Sequence, residues 1–183
     1  MHARLKTLAT IGSFIALALL ASLLATRGSA LTAAERNTPV APQITGIDTW
    51  INGSPLTLSQ LRGKVVLVDF WTYSCINCVH TLPYVKNWYK QYGNQGLQVI
   101  GVHTPEYPFE RDAGHVRAAV KKFDIQYPVA LDNQYATWNA FNNQYWPAVY
   151  LFDKTGHVVY SHFGEGDYAQ TEAKIRELLA QPG

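Results

Sequence analysis

Cys75 and Cys78 are the two cysteines of a 183-residue chain, three positions apart in Cys75-Ile76-Asn77-Cys78. Residues three apart on the first turn of a helix face the same way. Two sulfurs so placed can close a small disulfide and reopen it with little backbone movement. The residues after Cys75 predict a helix, which puts its sulfur among unpaired N–H groups at the positive end of the helix dipole. That position favours a thiolate by up to ~2 kcal/mol, enough to bring a thiol pKa of about 8.5 toward about 7. The thiolate is the attacking form in disulfide exchange. Cys78, one turn in, is the shielded partner suited to resolving a mixed disulfide. The spacing also admits a permanent structural disulfide, or half of a zinc or copper site completed by His80 or a distant histidine. So short a loop constrains the unfolded chain little. No second cysteine pair or tight histidine spacing completes a metal site, and no metal or other cofactor is expected.

The elements around the pair follow from hydrophobic pattern. Residues 65–71, VVLVDFW, form an almost continuous apolar strand suited to the middle of a sheet covered on both faces. Val79, Leu82, Val85 and Tyr89 have helical spacing after Cys75, and Gly93 and Gly96 end that helix. Residues 97–103 predict a second buried strand, and 110–123 a helix with Val116, Val120 and Phe123 inward. A short helix is expected over 135–142. Residues 148–152 and 157–162 flank Asp153-Lys154-Thr155-Gly156 as a hairpin. Residues 168–180 predict a final helix burying Ile175, Leu178 and Leu179. Residues 44–61 read as short strands joined at Asn52-Gly53. Strand, helix, strand, then hairpin and helix predict an α/β fold: a mixed sheet with helices on both faces, over residues 44–183.

Within that frame Asp69 stands out as a carboxylate inside an apolar strand. Burial raises a carboxyl pKa, which suits a proton acceptor for Cys78; the alternative is an aspartate bonded to loop amides at the strand end. Trp71, Tyr73 and Trp146 are candidates for an apolar rim that receives substrate around Cys75, or for core packing. His80 is expected on an exposed helix face, and Glu106 is given no role.

Composition narrows the partners. The chain carries 15 Lys+Arg against 13 Asp+Glu. Arg4, Lys6 and Arg27 all lie in residues 1–30, leaving 12 positive and 13 negative beyond them. That balance lacks the basic face expected of a nucleic-acid binder. Residues 7–26 hold no charge, follow Arg4 and Lys6, and lead to Gly28-Ser29-Ala30. Basic start, apolar run and small-residue site have the form of an export signal; twenty apolar residues would also span a bilayer as an anchor. Residues 1–30 are therefore read as signal peptide or membrane anchor and 31–43 as a linker. Either way the domain is expected outside the cytoplasm, in a periplasm or on the outer face of the membrane, with membrane contact through the leader alone.

At VDFWTYSCINCVHTLPYV the chain resembles the thioredoxin superfamily: Asp69, Trp71, Cys75, Cys78 and Pro83 match its strand, cysteine pair and helix-kinking proline. WTYSCINC, GVHTPE, YWPAVYLFD and HFGEGDY resemble extracytoplasmic redoxins, specifically the thioredoxin-like domain of DipZ-type proteins and their TlpA/ResA-like relatives. The resemblance covers residues 44–181. It implies the three-layer thioredoxin-like fold and an exported thiol-disulfide oxidoreductase that reduces client proteins outside the cytoplasm. It implies too a cis-proline facing the cysteines, matched by Trp146-Pro147, so that Pro147 joins Cys75, Cys78 and Asp69 as a site residue. An extended client could pair with the backbone there as a strand does. Ile76-Asn77 replaces the usual Gly-Pro, and Thr81 stands where many TlpA-like proteins carry glutamate. DipZ-type proteins also hold a multi-span electron carrier, so electrons here would come from a separate membrane protein. Two other functions compete. Thr72, three before Cys75, resembles a peroxiredoxin, although Val68 replaces that family's proline. A non-enzymatic copper carrier would favour two cysteines separated by three residues and a paired histidine.

Overall fold

The computed structural model describes residues 41–182. The leader and most of the linker lie outside the described residues, and so do their expected structures. Six strands form one mixed sheet: β1 (Thr49–Ile51), β2 (Val65–Trp71), β3 (Leu97–His103), β4 (Val129–Leu131), β5 (Ala148–Phe152) and β6 (Val158–Phe163), in the order β1-β4-β3-β2-β5-β6. The helices are α1 (Ile76–Tyr92), α2 (Ala113–Lys122), α3 (Ala136–Ala140) and α4 (Tyr168–Ala180). β2 and β3 run parallel, as do β3 and β4; β1 is antiparallel to β4, and β5 to both β2 and β6.

All seven residues of β2 are buried, because the strand lies inside the sheet with both faces covered. Successive side chains point to opposite faces. Val65, Leu67 and Trp71 enter a cluster with Leu82, Val85 and Trp88 of α1, Val116 and Val120 of α2, and Ile175 and Leu178 of α4. Val66, Val68 and Phe70 enter a second cluster with Leu58, Leu61, Trp138 of α3, Phe141 and Tyr150. Helices thus cover both faces, as the pattern predicted. Asp69 alternates with Val68 and Phe70, so the pleat puts it on the α1 face.

Two expectations fail, one at the sheet edge and one in a helix. Residues 44–61 form no hairpin: β1 pairs with β4, and residues 58–61 make a 3-10 turn. Asn52 does turn the chain, at φ 61°, but its side-chain amide donates to the Ile125 carbonyl at 2.6 Å. The turn is therefore fastened to the segment before β4 rather than to a returning strand. β4 itself had no sequence signal beyond three apolar residues after Pro128. The helix expected over 110–123 is divided: residues 108–111 make a 3-10 turn and α2 begins after Asp112, whose carboxylate caps it by accepting the His115 N–H at 2.8 Å.

Candidate active site

Cys75 is the N-cap of α1, with extended backbone at φ −73° and ψ 114°. Its Sγ accepts the Cys78 N–H at 3.3 Å. Both cysteines are free thiols; Cys75 is half-buried and Cys78 buried, at 1% exposure. The Cys78 thiol also donates to Cys75, and this is the largest cause that holds Cys75 down at about 7. Burial opposes it, and the Cys78 and Asn77 amides add to it. Burial pushes Cys78 well above the ordinary thiol range, and its bond to Cys75 pushes the same way. Cys75 is thus the more accessible sulfur, with its thiol held down, and Cys78 the shielded one, with its thiol held high.

Asp69 lies beneath them, 1% exposed, with no hydrogen-bond partner on Oδ1. Burial, and after it the charge on Cys75, raises its carboxyl to about 7. Its burial is what the apolar strand pattern suggested, and it has no bond to loop amides at that oxygen. Tyr73 and Trp146 are partly buried and pack with Cys75 on the α1-face cluster. Tyr73 donates its hydroxyl to the Phe109 carbonyl at 3.1 Å, and the Trp146 indole N–H donates to the Thr104 carbonyl at 3.0 Å. The Trp146-Pro147 bond is cis, as the resemblance implied. Trp71 is different: at 0% exposure it is core, with α1 covering its face of β2, and it cannot belong to a substrate-facing rim.

Other residues around the pair carried no sequence signal for a role. Glu110 is fully buried and accepts from Ser74 Oγ at 2.5 Å and from the Glu106 and Tyr107 N–H groups at 2.6 and 2.8 Å. Burial pushes its carboxyl up, but bonds from Ser74, Thr72 and the two amides outweigh that and hold it below its ordinary value. It clasps the turn before Cys75 to the loop after β3, a contact between residues more than thirty positions apart. His103 is buried, held down to about 4 by that burial, and sits 3.2 Å from the Thr72 hydroxyl through Nε2. His80 is exposed, as expected, with Nδ1 3.1 Å from Glu165. Among the described residues no group of three or more His, Cys, Asp or Glu side chains is arranged to hold a metal ion.

Comparison with known proteins fits this geometry. The Redoxin family profile matches residues 35–179. Protein DipZ of Mycobacterium bovis is 54% identical over 148 residues, which are 78% of this chain and 21% of that protein. The chain thus spans about a fifth of the length of such relatives. The thiol-disulfide oxidoreductase YkuV of Bacillus subtilis is 35% identical across 76% of this chain and 94% of its own. A thioredoxin-like protein solved in its oxidised form superposes with a TM-score of 0.71 at 33% identity, covering 78% of this chain and 96% of that one. A thiol-disulfide isomerase from Corynebacterium glutamicum gives 0.70 at 25% identity, covering 79% and 99%. With an α/β sheet of thioredoxin-like architecture and a family profile that matches most of its length, the chain belongs to the Redoxin family.

Proposed function

We propose that this domain is exported and reduces disulfides of extracytoplasmic client proteins through Cys75 and Cys78. The observation that carries the reading is the division between the sulfurs: Cys75 half-exposed and held at about 7, Cys78 buried and held high. The Cys75 thiolate attacks one sulfur of a client disulfide, and the other client sulfur leaves with the bonding electrons and takes a proton from solvent. A mixed disulfide remains. Cys78 then gives its proton to the Asp69 carboxylate, and its sulfur attacks Cys75 Sγ. The second client sulfur leaves, the Cys75–Cys78 disulfide forms, and the client has gained two electrons. General-base help of this kind contributes about 10²–10⁴-fold.

The client reaches Cys75 along Tyr73, Trp146 and the backbone at Pro147. A separate membrane protein returns two electrons to the Cys75–Cys78 disulfide. Export rests on the basic, apolar and small-residue order of residues 1–30.

The test is a trap. Cys78→Ser removes only the release step, so clients stay attached through Cys75 as adducts that vanish on adding reductant. Cys75→Ser loses both adducts and activity. Trapping by Cys75→Ser would reverse the roles, and full activity in both variants would make the pair structural. The equilibrium potential of the pair fixes direction: a value near about −270 mV supports a reductant and one near about −120 mV an oxidant.

A further inference from the structure

Two exposed aromatic rings form a shelf that reaches Cys75 through a third. Tyr73 packs with Cys75 on the α1-face cluster and donates its hydroxyl to the Phe109 carbonyl at 3.1 Å. The Phe109 ring meets Tyr73 at 6.3 Å, and Tyr107 stacks on Phe109 at 5.6 Å with the planes 4° apart. Tyr107 and Phe109 are 50% and 55% exposed. Single exposed apolar residues are ordinary, but contiguous ones beside a reactive group mark a surface for a partner. The shelf is also held in place. Ser74, Glu106 and Tyr107 all donate to buried Glu110, which ties this loop to the residue before Cys75. The Tyr73 ring lies against His103 from behind, at 5.7 Å and 16°. A surface ordered in advance loses little freedom when a partner docks.

The charge carried with the shelf is negative. Glu106 is exposed, precedes Tyr107 in the chain, and makes no ion pair among the described residues. Its charge is felt at Cys75, and the charges of Glu110 and Asp112 are felt at Tyr73. Arg111, in the same loop, is engaged elsewhere: it donates to the Asn133 carbonyl at 3.1 Å, and its guanidinium lies 6.0 Å from the Tyr135 ring. Ring faces attract lysine and arginine through their quadrupole, and a free carboxylate beside them pairs with the same charge. An acidic segment meets repulsion from both.

We propose that Glu106, Tyr107 and Phe109 are specificity-determining residues that take a lysine or arginine side chain of the client, from the segment that carries its disulfide cysteine. The inference rests on the proposed reduction of client disulfides and deepens it, by naming the chemistry of the segment that reaches Cys75. The client's cation lies on the Tyr107 and Phe109 faces beside the Glu106 carboxylate, and its cysteine is delivered past Tyr73 to the sulfur. Both attractions act at the surface, so they set preference among clients and weaken in salt.

The test uses the reduced full-length protein and peptides with one internal disulfide, identical except for lysine, glutamine, leucine or glutamate beside one cysteine. Each reduction rate is divided by the rate of the same peptide with a neutral small thiol, which removes the peptide's own reactivity. The lysine peptide should react about 5–10-fold faster than the glutamate peptide at low ionic strength, and the ratio should approach one in about 1 M salt. Glu106→Gln should lower the ratio about 3-fold, and Glu106→Asp should keep most of it. A ratio cancels any effect of Glu106 on the Cys75 thiol, which all the peptides share. Phe109→Leu should lower the preference for lysine over glutamine about 2-fold, and Phe109→Tyr should keep it. Equal rates for all four peptides overturn the inference, as does a ratio that Glu106→Gln leaves unmoved. A leucine peptide faster than the lysine one makes the shelf a plain apolar dock and overturns it too. If all four are reduced alike, only the inference falls; if none is reduced, the proposed function falls and the inference with it.

Discussion

Asp69 and Asp132 are the same residue type at the same depth, 1% and 0% exposed, on strand β2 and just beyond strand β4. Asp132 accepts the Thr137 and Trp138 N–H groups at 3.1 and 2.8 Å and the Thr104 hydroxyl at 3.3 Å. Asp69 Oδ1 accepts nothing. Burial raises both carboxyls; the donors around Asp132 limit its rise, while Asp69, with none on Oδ1, reaches about 7. Depth alone does not make a buried acid functional; the supply of donors decides. Asp132 spends its charge fastening the start of α3 to the end of β4. Asp69, beneath the two sulfurs, has no donor on Oδ1 and stays raised to about 7.

The largest expected effect is at Asp69. A carboxyl raised in the fold contributes stability that is fully present below its unfolded pKa and lost as pH rises through its folded one. For Asp69 that window runs from 3.8 to about 7. Asp69→Asn should flatten stability across it, by on the order of 4 kcal/mol, and should be stabilising at pH about 8. It should also slow client release about 100-fold near neutral pH. Urea unfolding at several pH values checks the first, and single-turnover kinetics the second; coincident stability curves would mean the carboxyl is not raised.

Asp132 should answer with the opposite sign. Asp132→Ala leaves the Thr137 and Trp138 N–H groups unpaired and should cost about 2–4 kcal/mol at pH 7, measured in the same urea series. A neutral or stabilising result would dissolve the contrast. The smallest effect sharpens it: Thr104→Val removes the longest of the three bonds and should cost within about 1 kcal/mol. A loss as large as that of Asp132→Ala would shift the anchoring from the amides to the Thr104 hydroxyl.

The site was legible where its logic is local. Cys75 and Cys78 announce themselves by spacing and by the strand-to-helix change around them. Asp69 does so by polarity inside an apolar strand, and β2, β3, β5 and α4 by unbroken or periodic apolar pattern. Trp71 was ambiguous because an indole beside an active-site turn suits either a rim or a core, and only the cover supplied by α1 distinguishes them. Glu110, His103 and Asp132 had no local signal. Each acts through a residue distant in sequence: Ser74 for Glu110, Thr72 for His103, and Thr104 for Asp132.

The chain by itself determined the spacing of Cys75 and Cys78, the helix that follows Cys75, and the central strand that carries a carboxylate into the interior. Those follow from periodicity and spacing, which act over a few residues. The tertiary structure decided one end of the sheet, where three-residue β4 forms against β3 and three-residue β1 then pairs with β4 as the edge. It also decided which buried acid stays free. Hydrogen-bond donors come from wherever the fold brings amides and hydroxyls, and no property of an aspartate's own neighbours in sequence tells how many will arrive.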